Sequence, residues 1–123
     1  MRICFICQED IVRPQGGTGT YVRNVSIGLA ARGHDVHVIA RRRGDLAYEV
    51  VEGVTVHRVE APGPGVLYSP LFFRASRRKF EALHSERPFD LLHGNLPLMS
   101  SFGVRGKRGL PPVIETLPGP PAA

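Results

Sequence analysis

Short, almost wholly apolar runs alternate along this chain with longer stretches in which apolar residues recur every three or four positions. Arg2-Ile3-Cys4-Phe5-Ile6-Cys7 is nearly continuous in apolar residues, as a parallel strand covered on both faces must be. A loop from Gln8 to Gly19 follows. From Tyr21 to Arg32, Val22, Val25 and Leu29 fall at i, i+3 and i+7, with Ile27 and Ala30 widening the stripe, which predicts a helix. Thr18 or Thr20 suits its N-cap, Arg32 its last turn, and Gly33 a C-terminal cap.

The pattern then predicts a second strand over Asp35–Ala40 and a third over Val54–Val59, with Val54, Val56 and Arg58 on one face. Leu46–Glu52 reads as a short edge strand, and Ala61–Gly65 is a loop by its turn residues. Pro70–Arg87 is a second helix with Phe73, Phe80 and Leu83 on its apolar stripe. Asp90–His93 is a fourth strand, Leu96–Val104 a short helix, and Pro112–Leu117 a fifth strand. Alternation of this kind leads to an α/β, Rossmann-like doubly wound parallel sheet with the first strand central. There is no internal repeat and no sign of a second domain. A last buried strand with no helix after it to cover it is the mark of a partial domain, so the chain is expected to be a fragment of something longer.

Composition changes this picture little. A length of 123 residues fits one domain, and 42% hydrophobic with 22% charged residues is ordinary globular usage. Apolar stretches of about six residues fall far short of the ~20 that span a bilayer, and the N-terminus lacks the segment of a secretory leader, so a cytoplasmic location is expected. Cys4 and Cys7 form a C-x-x-C, but inside one strand residues three apart point to opposite faces, so they read as buried structural cysteines. The formal charge of +5 favours anionic partners without choosing among them.

Candidate chemistry concentrates in Gln15-Gly16-Gly17-Thr18-Gly19-Thr20-Tyr21, at the carboxyl end of the first strand. Open α/β sheets bind ligands there, glycines permit close backbone approach, and a helix start offers N–H groups to anions. The competing reading is a turn whose glycines serve chain geometry alone. The loop is not a Walker loop, which needs Gly-Lys-Ser/Thr. Nor is it the dinucleotide fingerprint, because Val22 stands where the third glycine belongs. Arg41-Arg42-Arg43 after the second strand replace the acid that grips a ribose; they read as a solvated basic loop, or else as a 2′-phosphate site of an NADP-binding half-domain.

Gly16-Gly17-Thr18-Gly19-Thr20-Tyr21-Val22 through Leu29-Ala30-Ala31-Arg32-Gly33-His34-Asp35-Val36 resembles the opening of family 4 (group 1) glycosyltransferases. Gly53–Val59, Phe89–His93 and Pro112–Leu117 agree with that family in order and spacing. The resemblance implies an acceptor-side, N-terminal Rossmann-like half of a two-domain GT-B enzyme that retains anomeric configuration. Its donor-binding half would lie beyond residue 123. It implies a nucleotide-sugar donor as co-substrate, no metal, no other cofactor, and an acceptor that is a glycan, lipid or small molecule. On matching positions, Gly16 and Gly17 would bring backbone N–H groups to the donor, Gly19 would belong to the same donor- or acceptor-binding loop, and Thr18 and Thr20 would bond acceptor or phosphate. His93 would be the catalytic-site histidine, with Asn95 beside it in place of the family's second histidine. The other reading of His93 is a structural residue satisfying a backbone group. Pro118 stands where the family places a sugar-contacting histidine, so either the sugar is handled differently or the copy is impaired. The alternative is a non-catalytic nucleotide- or sugar-binding module.

Arg74, Arg77 and Arg78 share one face of the second helix, opposite its apolar stripe. They read as a solvated face, or as a peripheral contact with the inner face of an anionic membrane. Nucleic acid is not expected as a partner, because aromatic residues are not interleaved with these arginines.

Overall fold

The computed structural model describes residues 1–7, 11–12, 17–42, 47–60, 70–94 and 113–115. Among them run β1 (Arg2–Ile6), α1 (Gly17–Ala31), β2 (Asp35–Arg41), β3 (Tyr48–Val51), β4 (Val54–Val59), α2 (Pro70–Glu86), β5 (Leu91–Gly94) and β6 (Val113–Glu115). The strands form one sheet in the order β3-β4-β2-β1-β5-β6. Every pairing is parallel except β3 with β4. The expected doubly wound sheet with a central first strand is therefore present. The helix expected over Leu96–Val104 lies outside the described residues.

Period-two alternation sorts the core into two layers. Cys4, Ile6, Ile39 and Leu92 face one side and pack with Phe72, Phe80 and Leu83 of α2 and with Phe89. Ile3, Phe5, Cys7, Val36, Val38, Val54 and Val56 face the other and pack with Val22 and the flanking Val25, Ile27, Leu29 and Ala30 of α1. Cys4 and Cys7 thus lie in opposite layers, both buried and both free thiols.

Four readings need correction. First, α1 begins at Gly17 rather than Tyr21, so Thr18 and Thr20 are helical residues and neither is the N-cap. The N–H groups of a first turn lie outside the helix's own hydrogen-bond ladder, so weak helix formers are tolerated there. Second, the buried stripe of α2 is led by Phe72, with Phe73 only half-buried. Third, Arg41 is not in a solvated loop: it ends β2 and is buried, while the exposed Arg42 forms a 3.2 Å ion pair with Glu60. Fourth, the weakly patterned edge strand is real but shorter than Leu46–Glu52.

The ends of these elements are locally encoded. At the C-terminus of α1, His34 N–H donates to Leu29 and Gly33 N–H to Ala30, with Gly33 at φ +91°. This is a Schellman closure, and the left-handed residue at its centre is the expected glycine. The two residues between β3 and β4, Glu52 at φ 48° and Gly53 at φ 85°, both lie in the left-handed region that a tight hairpin turn demands.

Beneath α2 a line of polar side chains crosses three strands. Arg2 Nε donates to Asp35 (3.1 Å), Asp35 meets His37 Nε2 (3.0 Å), and His37 Nδ1 meets His57 Nε2 (2.9 Å). Arg2 also donates to the carbonyls of Leu83 and Arg87, and its guanidinium lies 4.1 Å over the Phe89 ring. The line therefore ties the start of the sheet to the end of α2.

Candidate functional site

β1 leads through α1 to β2 on one side, whereas β5 lies on its other side, so the strand order reverses between β1 and β5. The carboxyl ends of strands flanking such a reversal form the crevice where open α/β sheets bind ligands. Two sequence-chosen features meet at this edge. The first turn of α1 follows β1, and His93 stands on β5 directly opposite Phe5 of β1 in the register.

His93 is buried in the layer beneath α1, its ring 5.0 Å from that of Phe5 and 6.2 Å, edge-on at 81°, from that of Tyr21. Burial holds the imidazole below its ordinary pKa. It is therefore neutral at pH 7 and able to offer one donor and one acceptor. The first turn of α1 carries no acidic side chain, so nothing on the helix itself neutralises the positive end of its dipole.

The glycines divide by environment. Gly33 and Gly53 occupy left-handed backbone and are required there. Gly17 does not: its φ lies outside that region, it is exposed, and a Cβ added to it would meet nothing within 4 Å. Gly19 is buried and Thr20 exposed in the same turn. Gly16, Asn95, Pro118 and the side chain of Thr18 lie outside what is described. The structure thus brings Gly17, Gly19, Thr20 and His93 to one edge. It adds Tyr21, the aromatic residue that closes the glycine-rich motif, with its ring near that of His93. The available signal was spacing: Tyr21 follows Gly17 by four residues and shares its helix face.

Among the described residues, no group of three or more His, Cys, Asp or Glu side chains is placed to hold a metal ion. None of their helices is long and apolar enough to cross a membrane. The arginines proposed for a 2′-phosphate are partly committed elsewhere, Arg41 to the buried end of β2 and Arg42 to Glu60.

Fold and topology together define a Rossmann-like α/β unit whose strand order reverses between β1 and β5. The profile of Glycosyltransferase Family 4 matches residues 15–119, and the chain belongs to that family. It is 36% identical over 97 residues to a D-inositol 3-phosphate glycosyltransferase of Kineococcus radiotolerans, a match covering 72% of the chain and 22% of that protein. The chain thus spans about a fifth of the length of this curated relative. Sucrose-phosphate synthase from Thermosynechococcus elongatus superposes with a TM-score of 0.74 at 22% identity, over 94% of this chain and 32% of that one. A second structure of that synthase gives 0.71 at 19% identity, over 97% and 64%. At such identities the likeness speaks for the fold alone, a partial GT-B arrangement.

Proposed function

We propose that this chain is the acceptor-side half of a glycosyltransferase that moves a sugar from a nucleotide-sugar donor to an acceptor, with retention and without a metal. Membership of the family supports sugar transfer in general. The donor-binding half is expected outside residues 1–123. The observation that carries the site is Gly17. Neither a left-handed backbone nor packing calls for glycine there. A bare backbone there would let a ligand approach the first turn of α1 closely. The positive end of the helix dipole would stabilise negative charge developing on a leaving diphosphate.

Neutral His93, on the neighbouring strand β5 with its ring near that of Tyr21, is suited to hydrogen-bond a sugar hydroxyl. Gly16, Gly19, Thr18, Thr20 and Asn95 complete the proposed contacts. The 36% identical relative is named for an inositol phosphate acceptor, which makes polyol phosphates the first acceptors to assay. A cytoplasmic location, with the acceptor at or near a membrane, is compatible with the exposed Arg74 and Arg78 on α2.

The test compares two glycines that look alike to the fold. Gly28 in mid-α1 is also exposed, with nothing within 4 Å of an added Cβ. In the full-length product, Gly28→Ala should leave nucleotide-sugar turnover unchanged, whereas Gly17→Val should cut it at least tenfold without lowering the melting temperature by more than a few degrees. Equal turnover in both variants would remove the proposed role of the first turn.

A further inference from the structure

Arg23 stands in the second turn of α1 and extends its guanidinium to two other parts of the chain. Its Nη1 donates to the carbonyl of Ile11 at 2.9 Å and to that of Val12 at 3.4 Å. Its Nη2 lies 3.8 Å from Glu52, in the turn between β3 and β4. Ile11 and Val12 belong to the connection from β1 to α1, and Ile11 is wholly buried in the layer beneath that helix. A planar guanidinium presents its donors in a fixed fork, so gripping two successive carbonyls sets the connection at one place on the helix. Residues 13–16 alone separate Val12 from Gly17, where α1 begins, so the place where Val12 is held limits the path of the chain into the first turn. For stability the contact contributes little. The Glu52 side chain is 62% exposed, and ion pairs of that kind are weak. Ordering a long arginine side chain also opposes the gain from its hydrogen bonds.

We propose that Arg23 is a positioning residue for the transfer reaction, holding the β1–α1 connection against α1 so that the ligand edge is set before a substrate arrives. This rests on the transferase reading above and adds a residue that acts through the backbone of Ile11 and Val12 rather than on a ligand. Misplacing reacting groups by about 1 Å costs up to about 100-fold in rate, so a contact of small worth in folding carries a large effect in turnover. Lysine at this position keeps the charge but offers a point of donors in place of the fork. Glutamine keeps an N–H donor without the charge. Glu52 meets the other terminal nitrogen, so neutralising it leaves the carbonyl grip in place.

The test uses the full-length product and compares wild type, Arg23→Lys, Arg23→Gln and Glu52→Gln. Turnover of a panel of uridine and guanosine diphosphate sugars gives kcat and donor KM, well below every melting temperature. Amide exchange of the peptide containing Ile11 and Val12, read by mass spectrometry, reports whether the grip is lost. Both Arg23 variants should lower kcat at least about tenfold with donor KM within about threefold, while melting temperatures stay within a few degrees. Exchange at Ile11 and Val12 should rise in both. Glu52→Gln should keep kcat within about twofold of wild type. A merely structural role would lower the melting temperature and leave kcat of the folded protein unchanged. Unchanged kcat in both Arg23 variants of an active wild type, unchanged exchange, or an equal loss of kcat in Glu52→Gln would each overturn the assignment. A wild type that turns over no nucleotide sugar would refute the transferase reading, and this inference with it.

Discussion

The polar line under α2 makes the fold's stability depend on pH in a way that can be worked out. His57 is 5% exposed and stacks on His37, with ring centroids 5.2 Å apart. Burial, then the charges of His37, Lys79 and Arg2, push its pKa down to about 4 from 6.5. His37 is lowered too, burial outweighing the pull of Asp35. A histidine whose pKa is lower folded than unfolded is stabilising while it stays neutral, above its unfolded pKa. That contribution is lost as pH falls from about 6.5 toward 4, because protons then bind the unfolded chain preferentially.

For His57 alone the loss between pH 7 and pH 5 is about 2 kcal/mol, at 1.36 kcal/mol per pKa unit. A domain of this size has only about 5–15 kcal/mol to lose. The melting temperature should therefore fall by roughly 6–10 °C over those two pH units. The assay is thermal unfolding followed by circular dichroism at half-unit steps, for wild type and His57→Gln. Glutamine still offers His37 a hydrogen-bonding partner but does not titrate. The variant should start somewhat less stable at pH 7 and lose clearly less on acidification. A wild-type fall below about 2 °C, or equal falls in both proteins, would refute the reasoning.

Other outcomes follow from single positions. Gly33→Val should cost about 1–2 kcal/mol through backbone strain alone, since φ is +91° and the space around an added Cβ is open. Urea denaturation would show it as a lower midpoint at unchanged slope. Glu52→Asn should stabilise by a few tenths of a kcal/mol to about 1, because asparagine tolerates the φ of 48° better than glutamate does. Burial raises the Cys4 thiol far above its ordinary range, and Cys7 is buried in the opposite layer. Iodoacetamide should thus label neither cysteine until the protein is unfolded, as mass spectrometry would register. Phe80→Ala, at a ring 1% exposed between His84 and Phe89, should cost about 3–5 kcal/mol, read in the same urea titration.

The sequence by itself determined the order of elements, because hydrophobic period is a local signal and strand and helix periods differ. It determined the Schellman glycine at Gly33, the opposite burial of Cys4 and Cys7, and the place of the glycine-rich turn after β1. These rest on backbone geometry that any neighbouring residues would obey. The family resemblance was legible for the same reason, since its motifs are runs of adjacent residues.

Only the tertiary structure decided what meets at a distance. That His93 faces Phe5 follows from β1–β5 register, and register joins residues 88 positions apart that no local pattern relates. The burial of Arg41, the replacement of Phe73 by Phe72 at the head of the stripe, and the alignment of Arg2, Asp35, His37 and His57 were likewise settled by which elements pack together. So was the exposure of Tyr21 beside an open Gly17. Pattern tells which residues seek an apolar layer, but the packed chain decides which are left at its edge to face a ligand.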